Sequence, residues 1–203
     1  MTGRKACPPL AARRRDLLGA ILAAALVAPC FAHAEDAMSA VIIDGGPYVP
    51  TPQIVVDRML ELAEVGRDDV VFDLGSGDGR LVITAARHYG ARGVGVEREG
   101  RLVELARAGA EKARVRDLTS FVQGDLFETD LRKATVVTLY LLPHLLEKLL
   151  PKLSAELAPG ARIVAHDYSL YPWPADRVIE LDVPEKEEVM LSPRTHLYLY
   201  VVR

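Results

Sequence analysis

The run Val70-Val71-Phe72-Asp73-Leu74-Gly75-Ser76-Gly77-Asp78-Gly79-Arg80 constrains the fold more than any other part of this chain. Val70 to Leu74 is an almost unbroken apolar stretch, as expected of a strand buried in a parallel sheet. Glycines at 75, 77 and 79 then mark a turn too tight for side chains. Leu81, Val82, Ala85 and Ala86 follow at helical spacing, so the turn opens a helix. Strand, glycine turn and helix N-terminus together make a nucleotide cradle. In such a cradle unpaired backbone N–H groups and the helix dipole point at the ligand.

The spacing narrows the ligand. A dinucleotide fingerprint places its third glycine five residues after the first. Here it comes four after, in a G-x-G-x-G register. Asp73 sits two residues before the first glycine, where a carboxylate suits an ammonium-bearing ligand better than a pyrophosphate. The pattern Asp-Leu-Gly-Ser-Gly-Asp-Gly resembles the first motif of class I S-adenosylmethionine (SAM) methyltransferases. The plainer alternative is a tight strand-to-helix turn with no ligand.

Ahead of this unit lies a targeting segment. Arg4, Lys5, Arg13, Arg14 and Arg15 form a basic stretch, and residues 17–28 an apolar run too short to span a membrane comfortably. Ala32-His33-Ala34 has the form of a cleavage site. Residues 1–34 therefore read as a signal peptide and residues 35–203 as a single mature domain. Arg14-Arg15-Asp16-Leu17-Leu18 resembles a bacterial twin-arginine signal, with Leu for the usual Phe and Gly19 for the usual Lys. The expected location is exported, in the periplasm. The alternative is an uncleaved anchor in the inner membrane with the domain facing the cytoplasm, where SAM is made.

Residues 1–34 hold five of the 25 basic residues and one of the 28 acidic ones, leaving 20 against 27 and a net charge of −7. An acidic domain without basic runs argues against a nucleic-acid substrate. Cys7 and Cys30 both fall in the leader, so the mature domain has no disulfide framework, no thiol nucleophile and no cysteine metal site. No metal is expected, and the oligomeric state is left open. Roughly 170 residues are enough for one full core.

The mature chain opens with Tyr48-Val49-Pro50-Thr51-Pro52, then Ile54, Val55, Met59, Leu60 and Ala63 on one helical face. Thr51 is placed to cap that helix, with Pro52 at its first position. The segment is either a rigid lead into a packing helix or a lid that sets Tyr48 and Thr51 against the ligand. Gly93 to Glu97 is the second strand, and its closing acid, 18 residues past Gly79, is spaced to accept from ribose hydroxyls. Leu102, Leu105, Ala106, Gly109 and Ala113 mark the next helical face.

Ser120 to Gln123 is the third strand and Thr135 to Leu141 the fourth. Pro143 opens a helix with Leu146, Leu149, Leu150, Leu153 and Leu157 inward, kinked or restarted at Pro151. Arg162 to His166 is the fifth strand; 178–183 and 196–202 form a terminal antiparallel pair. The expected fold is α/β: a doubly wound, mostly parallel Rossmann-like sheet with a C-terminal antiparallel hairpin.

Tyr-Val-Pro-Thr-Pro, Asp-Leu-Gly-Ser-Gly-Asp-Gly-Arg, Gly-Val-Gly-Val-Glu, Asp-Leu-Phe and Tyr-Leu-Leu-Pro follow one another across residues 47–176. In that order they resemble a group of small bacterial class I methyltransferases. The group is similar to the mitochondrial lysine methyltransferases acting on the ATP synthase c subunit and the adenine nucleotide translocase. More distantly, it looks like the histone-lysine methyltransferases that lack a SET domain. The resemblance implies a SAM site built from Asp73, Gly75, Ser76, Gly77, Asp78, Gly79 and Glu97, with Tyr48 and Thr51 beside it. It further implies that Asp125 meets the adenine amino group and the Leu126 backbone N–H a ring nitrogen.

After the fourth strand this chain has Leu141-Leu142-Pro143-His144 in place of Asn/Asp-Pro-Pro-Tyr/Phe. The acceptor implied is a lysine on a protein, in some cases a membrane protein, rather than a nucleobase. A lysine amine must be deprotonated, and desolvation by Leu141, Leu142 and Trp173 would help. Tyr140, His166 and Asp167 are the catalytic candidates at the sheet's ligand-binding edge. Alternatives are a SAM-binding protein without transferase activity, a methyltransferase for a small molecule, and a nicotinamide-dependent reductase, which the glycine register disfavours.

Overall fold

The structure, a computed structural model, describes residues 48–186 and 193–203; the leader expectation falls outside them. Five strands run parallel: β1 (Val70–Leu74), β2 (Arg92–Glu97), β3 (Thr119–Gln123), β4 (Val136–Leu139) and β5 (Arg162–His166). β6 (Arg177–Asp182) and β7 (Arg194–Val201) complete one sheet in the order β3-β2-β1-β4-β5-β7-β6, with β7 antiparallel to both neighbours. The order reverses beside β1, so the glycine turn lies at the switch point, where open α/β sheets bind ligands.

The period-two alternation of β1, β4 and β5 sorts their side chains between two cores. Phe72, Leu74, Val137, Leu139, Ile163 and Ala165 face α4 (Pro143–Glu156), meeting Leu146, Leu149 and Leu153. Val71, Val136 and Val164 face the other way, toward α1 (Gln53–Leu62) and its Val55, Val56, Met59 and Leu60. Asp73, Thr138 and His166 occupy the next positions along that same face. A third cluster joins α2 (Arg80–Thr84, continuing as a π-helical turn, Ala85–Tyr89) to α3 (Gly100–Lys112) through Val82, Ala86, Val103, Ala106 and Ala110. Among the described residues no helix is long and apolar enough to cross a membrane.

Several local expectations are corrected. Helix α1 carries no side-chain cap, so Thr51 does not cap it, and Pro52 stands just before the helix. Ile54 points outward, while Val56 and Leu62 are buried. On α3 the inward face is Val103, Ala106 and Ala110, and Leu105 is 54% exposed. The helix runs so near α2 that a Cβ on Gly109 would lie 3.0 Å from Ile83 Cδ1, so small residues take the contact. Helix α4 is not restarted at Pro151, which lies on its exposed side. Strand β4 ends at Leu139, two residues early, because its partner β1 ends at Leu74 where the glycine turn begins.

Candidate functional site

The glycine turn is built by its own backbone. Gly75 and Ser76 both donate to the Val96 carbonyl (2.9 and 3.0 Å), Gly79 donates to the Ser76 carbonyl (2.8 Å), and Gly77 donates to Glu97 Oε2 (2.9 Å). These amides are satisfied within the protein, which corrects the expectation of a phosphate-type cradle with free N–H groups. Two glycines of the turn hold left-handed conformations against a neighbouring ring. Gly77 has φ +53°, and a Cβ there would lie 2.5 Å from the Tyr48 ring. Gly79 has φ +77°, and its Cβ would enter the core 2.6 Å from Phe121 and 2.7 Å from Ala106.

Asp73 is 8% exposed, and its Oδ1 accepts from Thr138 Oγ1 at 2.7 Å across the β1–β4 register. Burial pushes its carboxyl up to about 7; the Thr138 hydrogen bond opposes this, while the charges of Glu97 and Asp78 add to it. A buried carboxyl of this kind fits a cationic ligand group. Ser76 Oγ is buried without a hydrogen-bond partner among the described residues and lies against Gly95 of β2. Glu97 holds the Gly77 amide on one oxygen and the Glu99 amide on the other (3.0 Å), and each oxygen has a lone pair left for a hydroxyl.

Asp125 Oδ1 accepts from the Phe127 amide at 2.8 Å, which fixes the loop after β3 and leaves Oδ2 for an amino group. The Leu126 side chain is buried, and its amide has no partner among the described residues. Asp78 is committed elsewhere: Arg80 binds both its oxygens (Nε at 2.9 Å, Nη2 at 2.6 Å). Although burial opposes ionisation, the hydrogen bonds and charge of Arg80 hold Asp78 below the usual carboxylate range. Arg80 Nη1 also donates to the Thr51 carbonyl at 2.8 Å, tying the segment before α1 to the glycine turn. Tyr48 is thereby laid against Gly77, as a lid would be, while Thr51 contributes its backbone.

The chain belongs to the ANTKMT methyltransferase domain family.

That family's profile matches residues 73–177, from the acid of β1 to the start of β6. The chain is 44% identical over 157 residues to a protein-lysine N-methyltransferase of Saccharolobus islandicus, covering 77% of this chain and 93% of that one. It is 39% identical over 128 residues to the adenine nucleotide translocase lysine N-methyltransferase of Mus musculus, over 63% of this chain but 55% of that relative. The crystal structure of an RNA methyltransferase from Salinibacter ruber in complex with S-adenosyl-L-homocysteine is 51% identical. It superposes with a TM-score of 0.69 over 76% of this chain and 94% of that one. The protein is a SAM-dependent methyltransferase with the class I fold. Asp73 and Glu97 fit SAM by the chemistry just described: a carboxyl for its ammonium and a second carboxylate with lone pairs left for its hydroxyls.

Beyond the glycine turn, the ends of β4 and β5 bring the three catalytic candidates together. Tyr140 stacks on His166 with ring centroids 3.9 Å apart. His166 is fully buried, both ring nitrogens lack hydrogen-bond partners among the described residues, and burial lowers its pKa to about 4, so the imidazole is neutral. Its Nε2 lies 3.6 Å from Asp167 Oδ2, too far for a hydrogen bond. Burial and then the Asp167 charge push the Tyr140 phenol up to about 12. Asp167 pairs with Lys186 Nζ. Leu141, Tyr168 and Trp173 pack on the α4-side core.

Arg80, Thr138 and Lys186 are placed in this neighbourhood without any sequence signal of comparable strength. Thr138 is the one readable case, a hydroxyl in an otherwise apolar strand, opposite Asp73.

Proposed function

We propose that this methyltransferase acts on the side-chain amine of lysine in a protein. The observation that carries the reading is the apolar segment after β4, seated directly on the cofactor turn. A Cβ on Gly75 would lie 3.1 Å from Leu141 Cδ2. Leu141 and Leu142 are half-buried there, and the Leu141–His144 segment has no side-chain amide to hold a base, its one aromatic ring, His144, being exposed.

When bound, SAM supplies a methyl group already activated on its sulfonium. The chain's own residues must align the acceptor and exclude water. A lysine ammonium has a reference pKa of about 10.4 and must lose its proton before attacking. Leu141, Leu142 and Trp173 favour the neutral amine by desolvation and pack along its aliphatic stem. Tyr140, a neutral phenol, is suited to accept a hydrogen bond from the amine and point its lone pair at the methyl. His166, with a pKa of about 4, is too weak a base for this deprotonation and instead supports the Tyr140 ring.

The Saccharolobus and Mus relatives are both named for lysine. The Salinibacter structure is described as an RNA methyltransferase. The net charge of −7 outside the leader favours protein over RNA, since phosphate contacts dominate RNA affinity. We extend the proposal to a membrane-embedded acceptor. The leader expected over residues 1–34 would support this, by carrying the domain across the inner membrane into the periplasm or by anchoring it there with the domain facing the cytoplasm.

The test uses the mature domain, labelled SAM, and soluble and membrane extracts, with and without prior acetylation of amines. The expected result is protein label that acetylation abolishes. Label that survives acetylation and is removed by ribonuclease would overturn the lysine assignment.

A further inference from the structure

Lys186 is a long cation on a connecting turn, yet it is only 6% exposed. It belongs to the short 3₁₀ turn Pro184–Lys186, after β6, and its side chain reaches back to the end of β5. There Nζ donates to Asp167 Oδ2, to Thr195 Oγ1 at 2.8 Å and to the Arg194 carbonyl at 3.4 Å. All three ammonium protons thus have an acceptor. Thr195 is itself fully buried.

Asp167 is held with equal thoroughness. Its amide donates to the His196 carbonyl at 2.8 Å, and its Oδ1 accepts the His196 amide at 3.3 Å. Its φ is +62°, a left-handed conformation uncommon outside glycine and one that a surrounding structure must enforce. A buried ion pair is an expensive way to close a sheet, because desolvation offsets most of the attraction. An apolar pair would fill this volume at no such cost. The carboxylate stands beside the His166 ring, Oδ2 to Nε2 3.6 Å, and that ring lies against Tyr140 with centroids 3.9 Å apart; its charge opposes ionisation of the Tyr140 phenol.

We propose that Lys186 is a positioning residue for methyl transfer, acting through Asp167 on the Tyr140 hydroxyl. The Asp167 carboxylate, fixed in direction by Lys186 and the His196 amide, draws the phenolic hydrogen toward itself. The lone pairs of the Tyr140 oxygen are then turned toward the acceptor amine, which they orient. Without the ammonium, Asp167 loses its counter-charge and its fixed direction, and the phenol rotates freely. The inference deepens the lysine reading above and rests on it.

The experiment compares Lys186→Met, Lys186→Arg, Asp167→Asn and the Lys186→Met/Asp167→Asn double variant on whichever acceptor the wild-type protein labels, so that failure of the acceptor assignment shows in the wild type alone. Thr195→Val, which removes one ligand of the ammonium while keeping its volume, serves if Lys186→Met does not fold. Expected are a tenfold or greater fall in kcat for Lys186→Met, SAM affinity within twofold of wild type, and substantial recovery in Lys186→Arg. Asp167→Asn should match Lys186→Met, with the double variant no worse than either. Thr195→Val should lower kcat several-fold, again without weakening SAM. A folded Lys186→Met or Thr195→Val protein with wild-type kcat would overturn the proposal. So would losses in kcat and SAM affinity that run in parallel and are equal in Lys186→Arg.

Discussion

Asp73 is the residue on which the cofactor site turns, and its buried carboxyl makes two linked predictions. The folded pKa of about 7 lies above the ordinary carboxylate value, so the ligand-free fold carries an extra proton between about pH 4 and 7. The contribution of this group to stability is therefore full at low pH and is lost as pH rises through 7. SAM affinity should run the opposite way, because the ammonium needs the ionised form. Calorimetry between pH 6 and 8 should show affinity rising about tenfold, and Asp73→Asn should flatten that rise. An affinity independent of pH in the wild type would contradict the assignment. Glu97→Ala should weaken SAM binding by about 1.5–3 kcal/mol, the range for hydrogen bonds to a charged group. An unchanged dissociation constant would make Glu97 a prop for the Gly77 and Glu99 amides alone. Both acids are legible in the sequence because each closes an apolar strand at a fixed distance from the glycines. Lys186 and Arg80 are not, since nothing in their neighbours marks a turn lysine for burial or an arginine for bridging Asp78 to Thr51.

At the scale of elements, the order and bounds of the strands follow from the sequence because apolar runs and glycines punctuate it sharply. Helix faces follow less well. The largest apolar residues of α3 suggest a face through Leu105, yet the helix packs where it can approach most closely, through Val103, Ala106 and Ala110. The same closeness separates two glycines of the turn. Gly79→Ala drives a methyl into buried Phe121 and Ala106 and should cost about 3 kcal/mol or more. Gly77→Ala meets only half-exposed Tyr48, which can swing aside, and should cost about 1–2 kcal/mol. Urea denaturation of the two variants checks this, and equal losses would contradict it. Pro151 breaks no contact on its exposed side, so Pro151→Ala should restore a helix hydrogen bond. A gain of about 1–2 kcal/mol in the same assay is expected, and none if the helix is already strained there.

For the whole molecule, the sheet edge sets the glycine turn at β1–β2–β3 beside the proposed acceptor site at β4–β5, the two meeting where Leu141 lies against Gly75. The donor half is readable in the sequence because its chemistry needs glycines and acids at set spacings. The proposed acceptor half is less so, since apolar side chains such as Leu141 and Trp173 are the ones any core uses. With a lysine-bearing protein acceptor, kcat should climb between about pH 7 and 9 as the bound amine deprotonates, with no falling limb from Tyr140, whose pKa is about 12. The central claim, that the methyl group goes to a lysine amine, is tested most directly by competition in one tube. The protein and SAM are incubated with unmethylated total protein and total RNA together, and both are then digested and analysed by tandem mass spectrometry. Methyl groups on lysine Nε with nucleosides unchanged is the predicted result; methylated nucleosides without methyl-lysine would contradict it.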